Sequence, residues 1–256
     1  MDSKSRRIRV TIAYDGFDYS GWQVQPGRST IQGILETIIS GIDGKPVHVG
    51  ASGRTDAGVH AMAQIAAFTL DNPIPCENLR KAVNRLLPPD IRILKAEEVR
   101  ADFNARHDAL AKTYEYRIFR GEICSPFERR YVFHYPYPID EDRMNEFAPL
   151  IEGEHDFTAF AAADDRKHEY RSKVRTIFSS GAESRGERWI YRVRGSGFLK
   201  HMVRNIVGVL LEAGKGNITR EQLLARLEPG TPIRPGPTLP PQGLLLESVE
   251  YPPESV

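Results

Sequence analysis

A chain of 256 residues with 35 Lys and Arg against 34 Asp and Glu carries a net charge of +1, so it lacks the bulk basicity that usually marks a nucleic-acid binder. Its 40% apolar and 27% charged fractions are those of a soluble globular protein, no apolar run nears the roughly 18 residues of a bilayer span, and the basic start leads into alternation rather than a signal core, which sets the expectation of a cytoplasmic protein without a targeting segment. Two cysteines, Cys76 and Cys124, and seven histidines without metal-ligand spacing argue against a disulfide framework and predict no metal.

Ile8, Val10 and Ile12 alternate with Arg9 and Thr11, the signature of a half-buried strand, which ends at Tyr14-Asp15-Gly16. A turn-rich loop over residues 15–28 follows. Within it, Trp22 of Ser20-Gly21-Trp22-Gln23 either anchors the loop on the core or stacks on a base. Ile31, Ile34, Leu35, Ile38, Ile39 and Ile42 fall at helical spacing between an N-cap at Thr30 and a stop at Gly44. Residues 47–49 read as a short strand and 63–70 as its partner. A helix carrying Leu79, Val83, Leu86 and Leu87 ends at Pro88-Pro89, and residues 91–99 return as a strand.

The second half repeats the order. Residues 113–119 are a strand by their aromatic and β-branched alternation. A helix carries Met144, Phe147 and Ile151, with Pro149 weakening its last turn, and residues 174–180 and 189–196 form a hairpin around a polar 183–187 loop. Leu199, Met202, Val203, Ile206, Val207, Leu210 and Leu211 mark the longest helix, closed by Gly214 at C′. Thr219-Arg220-Glu221-Gln222 is a capping box for a short helix with Leu223, Leu224 and Leu227 inside; a proline-rich loop over 229–241 and a last strand over 244–251 complete the chain. The expected fold class is α+β: two ferredoxin-like (βαββαβ) halves, 1–105 and 106–256, their antiparallel sheets side by side around a central cleft.

The stretch Ser52-Gly53-Arg54-Thr55-Asp56-Ala57-Gly58-Val59-His60-Ala61 concentrates a carboxylate, a guanidinium and two glycines. By itself Asp-Ala-Gly is a plain turn, the Asp accepting backbone hydrogen bonds and the Gly supplying positive φ; in a cleft the same carboxylate does chemistry. Tyr114 opens a strand, where a ring either fills the core or reaches a cleft. Arg204 lies beside the apolar stripe of the long helix, placed either to snorkel to water or to meet a carboxylate. Leu244-Leu245-Leu246 is too apolar for a tail and lines or buttresses something. Residues 166–204 hold eleven bases against Glu169, Glu183 and Glu187, a local excess of eight that is either a solvated face or a surface for phosphates.

Tyr14-Asp15-Gly16 with Gly21-Trp22-Gln23, Gly53-Arg54-Thr55-Asp56-Ala57-Gly58-Val59-His60, Lys112-Thr113-Tyr114-Glu115-Tyr116, Asp156-Phe157-Thr158-Ala159-Phe160 and His201-Met202-Val203-Arg204-Asn205-Ile206-Val207-Gly208 together resemble the tRNA pseudouridine synthase A (TruA) family. The resemblance runs from about residue 8 to 251. It implies an isomerase that needs no cofactor, is homodimeric, and acts on the tRNA anticodon arm held in an RNA-binding cleft. By it Asp56 is the catalytic aspartate, Arg204 its basic partner, Tyr114 the ring stacked on the target base and Arg54 a contact near the flipped nucleotide. Phe17 stands where many members have Thr, and Gly243-Leu244-Leu245-Leu246 where Gly-Leu-Tyr-Leu is common, so Leu245 takes a place in the pocket lining. His60 becomes structural.

The chemistry explains why one carboxylate suffices. Uracil leaves as a resonance-stabilised anion and is rejoined through C5, with no net water and no redox change; Asp56 either attacks C1′ or removes the C2′ proton. A cation within about 4–6 Å favours its ionised form, the physical case for Arg204. A base inside a stem must be extruded and held by stacking, the case for Tyr114. Two other classes stand beside this one. An RNA-binding module without catalysis would show the RNP1 aromatic pattern, and a nucleoside or glycoside hydrolase would pair Asp56 with a second acid.

Overall fold

A computed structural model describes residues 5–162, 172–230 and 236–253 as a mixed α/β arrangement of mostly antiparallel strands with few helices. By packing, the chain divides into two compact units, Met1–Leu110 with Leu246–Val256, and Ala111–Leu245.

In the first unit, β1 (Arg6–Tyr14) lies between β3 (His60–Leu70) and β4 (Ile91–Val99), antiparallel to both, with α1 (Ile31–Asp43), the two-residue β2 (Gly50–Ala51) and α2 (Cys76–Leu86) in the connections. Local chemistry sets α1: Thr30 is extended and its side chain accepts from the Gly33 N–H, while Gly44 ends the helix at φ 76°. Residues 47–49 alternate as a strand should, yet they join no ladder. Their backbone groups are taken by α1 side chains: Val47 N–H donates to Ser40 Oγ (2.8 Å), Val49 N–H to Glu36 Oε1 (3.0 Å), and Gln32 Nε2 donates to the Val49 carbonyl (3.1 Å). The ladder starts only at β2, against Ala66 and Ala67 of β3.

Register fixes the two faces of this sheet. Ile8, Val10 and Ile12 stand opposite Phe68, Ala66 and Gln64 on one face. On the other, Ile65 and Ala67 pack with Val99, Phe103 and Ala105, joined by Val249 and Tyr251. With both faces covered, β3 is apolar almost throughout. In α2, Leu79 and Val83 are buried as expected, but Leu86 points to solvent; the backbone leaves the helix in an extended conformation at Leu87, which turns inward instead.

In the second unit, β5 (Ala111–Phe119) pairs in parallel with the short β6 (Phe133–His134). α3 (Glu141–Phe147) gives way to a 3-10 turn at Ala148–Ile151, where Pro149 cannot continue the α-helix. β7 (Gly153–Asp156), β8 (Val174–Arg185) and β9 (Arg188–Gly195) complete an antiparallel run in the order β5-β9-β8-β7. The hairpin is longer than expected. Residues 183–185 continue β8, Arg185 faces Arg188, and the turn is Gly186-Glu187 alone, with Gly186 at φ 60°.

The longest helix, α4 (Met202–Gly214), starts three residues later than its apolar pattern, after His201 takes the left-handed conformation at φ 61°. Gly214 stays helical rather than forming the C′ stop: a Cβ there would come within 2.7 Å of Met144 Cγ, and the positive φ falls to Gly216. The capping box of α5 (Arg220–Leu224) forms with both of its hydrogen bonds. Leu223 and Leu227 are buried behind it, whereas Leu224 faces out. The last strand, β10 (Leu244–Glu250), hydrogen-bonds to β3, so residues 246–253 pack with the first unit rather than with the residues that precede them.

Candidate active site

The Asp56 loop joins β2 to β3 in the first unit. The Asp56 carbonyl accepts from the Val59 N–H (3.2 Å), closing a four-residue turn whose third position, Gly58, sits at φ 77°; a positive φ there is what such a turn demands of glycine. Gly53 is not in the left-handed region and serves the loop otherwise, its carbonyl accepting from Gln64 Nε2 (2.9 Å). The Asp56 side chain is half-buried and that of Arg54 exposed, so the turn presents both toward its outer surface.

The bed of this loop is made by the two earlier motifs. A Cβ on Gly16 would lie 1.9 Å from the Val59 carbonyl oxygen, and one on Gly21, itself at φ 87°, 2.7 Å from the Thr55 oxygen and 3.0 Å from the Asp56 carbonyl carbon. Only glycine allows backbone to approach backbone this closely. The Trp22 N–H donates to the Thr55 carbonyl (3.1 Å) and the Gly58 N–H to the Tyr19 carbonyl (3.2 Å). Trp22 is 2% exposed with its ring 6.3 Å from that of Tyr14, so it is the anchor of the loop. His60 is buried with Nδ1 3.1 Å from both the Gly16 nitrogen and Asp15 Oδ1: neutral, it accepts from Gly16, and protonated at Nδ1 it donates to Asp15. Both arrangements are structural.

The second unit holds Tyr114, Arg204 and Leu245. Tyr114 is nearly buried on β5, and Phe198 meets its ring edge-on, with centroids 5.0 Å apart and planes at 79°. Two residues along the same face, the Tyr116 hydroxyl donates to the Pro240 carbonyl (2.7 Å); burial raises its pKa, and the nearby Arg204 opposes that rise. Arg204 is half-buried on α4, and its Nε donates to the Leu239 carbonyl (2.7 Å). Next to it, Asn205 Nδ2 donates to the Phe160 carbonyl (2.8 Å) and its Oδ1 accepts from Thr238 Oγ1 (2.6 Å). A Cβ on Gly208 would lie 1.9 Å from the Pro237 oxygen. The face of α4 that carries Arg204 is therefore strapped by residues 236–240. Leu245 is half-buried on β10.

Phe198 stands outside the sequence motifs, and Tyr116 and Asn205 stand within them without a role of their own. Asn205, a polar residue inside an apolar helical stripe, was the one with a signal to find. The basic stretch is also less open than its charge suggests. Arg188 pairs with Glu128 and Arg192 with Glu115, both glutamates lying outside the stretch, and Arg185 pairs with Glu183 at 2.6 Å. Arg194 lies over the Phe178 ring at 4.9 Å. Arg166, Lys167, Arg171 and Glu169 lie outside the described residues. Among the described residues no three His, Cys, Asp or Glu side chains are grouped to hold a metal ion, and no helix is long and apolar enough to cross a membrane.

With this geometry in hand, residues 10–108 and 148–252 match a family model described as tRNA pseudouridine synthase. A tRNA pseudouridine synthase A of Solibacter usitatus (strain Ellin6076) is 65% identical over 246 residues, covering 96% of this chain and 100% of the relative. One from Anoxybacillus flavithermus (strain WK1) is 44% identical over 247 residues, covering 96% and 99%. Among solved structures, a chain from "Crystal Structure of a Cbf5-Nop10-Gar1 Complex" aligns at 14% identity and a TM-score of 0.31 over 79% of this chain and 54% of that one, a likeness on which nothing below depends.

Proposed function

The chain belongs to the tRNA pseudouridine synthase family, and from that premise we propose Asp56 as its catalytic carboxylate, Arg204 as the basic partner of Asp56, and Tyr114 as the ring stacked on the target uracil, with Arg54 and Leu245 as further substrate contacts. The protein is an isomerase that converts uridine in tRNA to pseudouridine. The N1–C1′ bond breaks, a C5–C1′ bond forms, the proton on C5 is lost and one is gained at N1, so atoms balance without water, oxidant or reductant. Two routes satisfy that balance: the Asp56 carboxylate attacks C1′ and is displaced by C5, or it takes the C2′ proton to leave a glycal and later returns it.

The single observation that carries the assignment is the Asp56 turn, a carboxylate held at partial exposure on backbone fixed from beneath by Trp22, Tyr19 and Gly16. Preorganisation of this kind is what positional catalysis requires. Arg204, half-buried on α4, is the cation assigned to act with that carboxylate. Tyr114, its ring set by Phe198, offers an aromatic platform of the type that holds an extruded base. The relatives' name, tRNA pseudouridine synthase A, is consistent with the anticodon arm as the target; a homodimer as the working form and the cytoplasm as the location are proposed from the family resemblance of the motifs alone. The order β1-α1-β2-β3-α2-β4 supports a ferredoxin-like reading of the first unit; in the second, β6 and β7 are additions to that order and most of β10 belongs with the first unit.

The test is incubation with unmodified tRNA followed by base-specific chemical labelling of pseudouridine, with Asp56→Asn as the comparison. Asp56→Asn is expected to bind tRNA and form no detectable product. Turnover by that variant at the wild-type rate refutes the assignment, and free uracil in place of pseudouridine would mark a hydrolase.

A further inference from the structure

Beneath the Asp56 loop lies a buried polar chain that stability alone does not require. Gln64 sits at the centre of the apolar strand β3 with no exposure, opposite Ile12 in register. Its Oε1 accepts from Ser52 Oγ at 2.6 Å; its Nε2 donates to the Gly53 carbonyl at 2.9 Å and makes a longer contact to the Tyr14 hydroxyl at 3.5 Å. The Tyr14 hydroxyl in turn lies 2.8 Å from Thr55 Oγ1. Either hydroxyl can donate in that last bond, and the chain links Ser52, Gln64, Tyr14 and Thr55 without a break. Ser52, Thr55, Gln64 and Tyr14 are all buried. Burial pushes the Tyr14 phenol up to about 12, so it keeps its proton throughout the neutral range.

Gln64 from β3 and Tyr14 from β1 reach into the loop, where they meet Ser52, Gly53 and Thr55. Ser52, Gly53 and Thr55 are the residues just before Asp56, and Thr55 is its immediate neighbour. Apolar side chains of similar volume would fill the same space without the desolvation cost of four polar groups. What the polar chain adds is direction: it fixes where residues 52–55 run and hence where the Asp56 carboxylate emerges.

We infer that Tyr14, Gln64 and Thr55 are positioning residues for the isomerisation, holding the Asp56 turn in its reactive geometry without touching the substrate. This inference rests on Asp56 being the catalytic carboxylate. A misplacement of about 1 Å at a reacting group costs on the order of a hundredfold in rate. Loss of one link should therefore lower the single-turnover rate about 10- to 100-fold, while tRNA affinity, set by other surfaces, stays within about twofold.

The experiment measures single-turnover pseudouridine formation and tRNA binding for Tyr14→Phe, Thr55→Val, Thr55→Ser and the double variant Tyr14→Phe/Thr55→Val, at a temperature where melting curves show each folded. The expected result is a rate loss for Tyr14→Phe and Thr55→Val, near wild-type rate for Thr55→Ser, and a double variant no slower than the slower single one, because both remove the same link. Should Thr55→Val not fold, Tyr14→Phe and Thr55→Ser carry the test. Wild-type rates in Tyr14→Phe, or a loss confined to tRNA binding, overturn the inference. Asp56→Asn run alongside separates the two levels: activity in that variant sinks the catalytic assignment, whereas an inactive Asp56→Asn beside a fully active Tyr14→Phe sinks the positioning role alone.

Discussion

Gly16→Ala gives a sharp test of the bed beneath Asp56, because the change is one methyl group and the obstacle is backbone. The added carbon would lie 1.9 Å from the Val59 carbonyl oxygen and 2.7 Å from its carbonyl carbon, about 1.5 Å short of the 3.4 Å at which ordinary contact begins. No rotamer relieves it, since neither partner has a torsion free to move. Either β1 or the Asp56 loop must shift by about that distance, at an overpacking cost of about 1–3 kcal/mol. The Gly16 N–H bond to His60 Nδ1, at 3.1 Å, would be strained by the same movement. A cost of that size lowers the melting temperature of a chain this long by about 2–12 °C. The larger effect falls on rate, since a displacement of this order at Asp56 costs about a hundredfold. The assays are thermal melting and single-turnover pseudouridine formation below the melting range. A folded Gly16→Ala protein that turns over at the wild-type rate would refute the view that this contact places Asp56.

Other substitutions probe the rest of the molecule. Gly41→Ala, in an exposed interior position of α1 with nothing within 4 Å of the new carbon, should stabilise by about 0.5–1 kcal/mol and leave activity unchanged; a fall in melting temperature would contradict it. Arg204→Met should abolish most activity at neutral pH. Because Arg204 Nε also bonds the Leu239 carbonyl, it should further lose about 1 kcal/mol of stability, or about 2–4 °C in melting; full activity would remove the case for a cationic partner. Burial raises the pKa of Tyr14, Tyr19, Tyr116, Tyr191 and Tyr251, Tyr14 to about 12. A folded-state value above the unfolded one contributes stability that is complete below about pH 10 and is lost as pH climbs through the folded value. Ultraviolet titration should therefore show these phenols ionising late and together with unfolding, and Tyr14→Phe should soften the alkaline loss between about pH 10 and 12; early, reversible ionisation of all ten tyrosines would count against it.

What was legible in the sequence was local. The α1 boundaries follow from Thr30 and Gly44, and the α5 capping box from Thr219 and Gln222, because caps are closed by residues three or four positions away. What was not legible depended on distant partners. Residues 47–49 have a strand's alternation, but Ser40, Glu36 and Gln32 on the neighbouring helix claim their backbone groups. Gly214 has the look of a left-handed stop, but it is the last helical residue, with Met144 packed against it, and the positive φ comes only at Gly216. The end of β8 carries no apolar alternation because residues 183–185 are exposed on both faces, so only its pairing with β9 reveals it as strand. Likewise the charge excess of residues 166–204 counts arginines whose partners, Glu115 and Glu128, lie elsewhere in the chain.

The site divides along the same line. That Asp56 sits in a turn was readable from Asp-Ala-Gly, since the positive φ of Gly58 and the bond from Val59 to Asp56 are both local. Why the turn is held still was not, because its supports arrive from residues 14–22 and from Gln64. Two glycines and one glutamine in an apolar strand do not say by themselves which loop they support. Yet a carboxylate on a loop is only as well placed as the backbone beneath it, and here that backbone rests on Gly16 and Gly21 where any Cβ would intrude. If Asp56 is the catalytic carboxylate as proposed, the motifs around Tyr14 to Trp22 belong to the chemistry through packing, because they leave the main chain that carries it nowhere else to go.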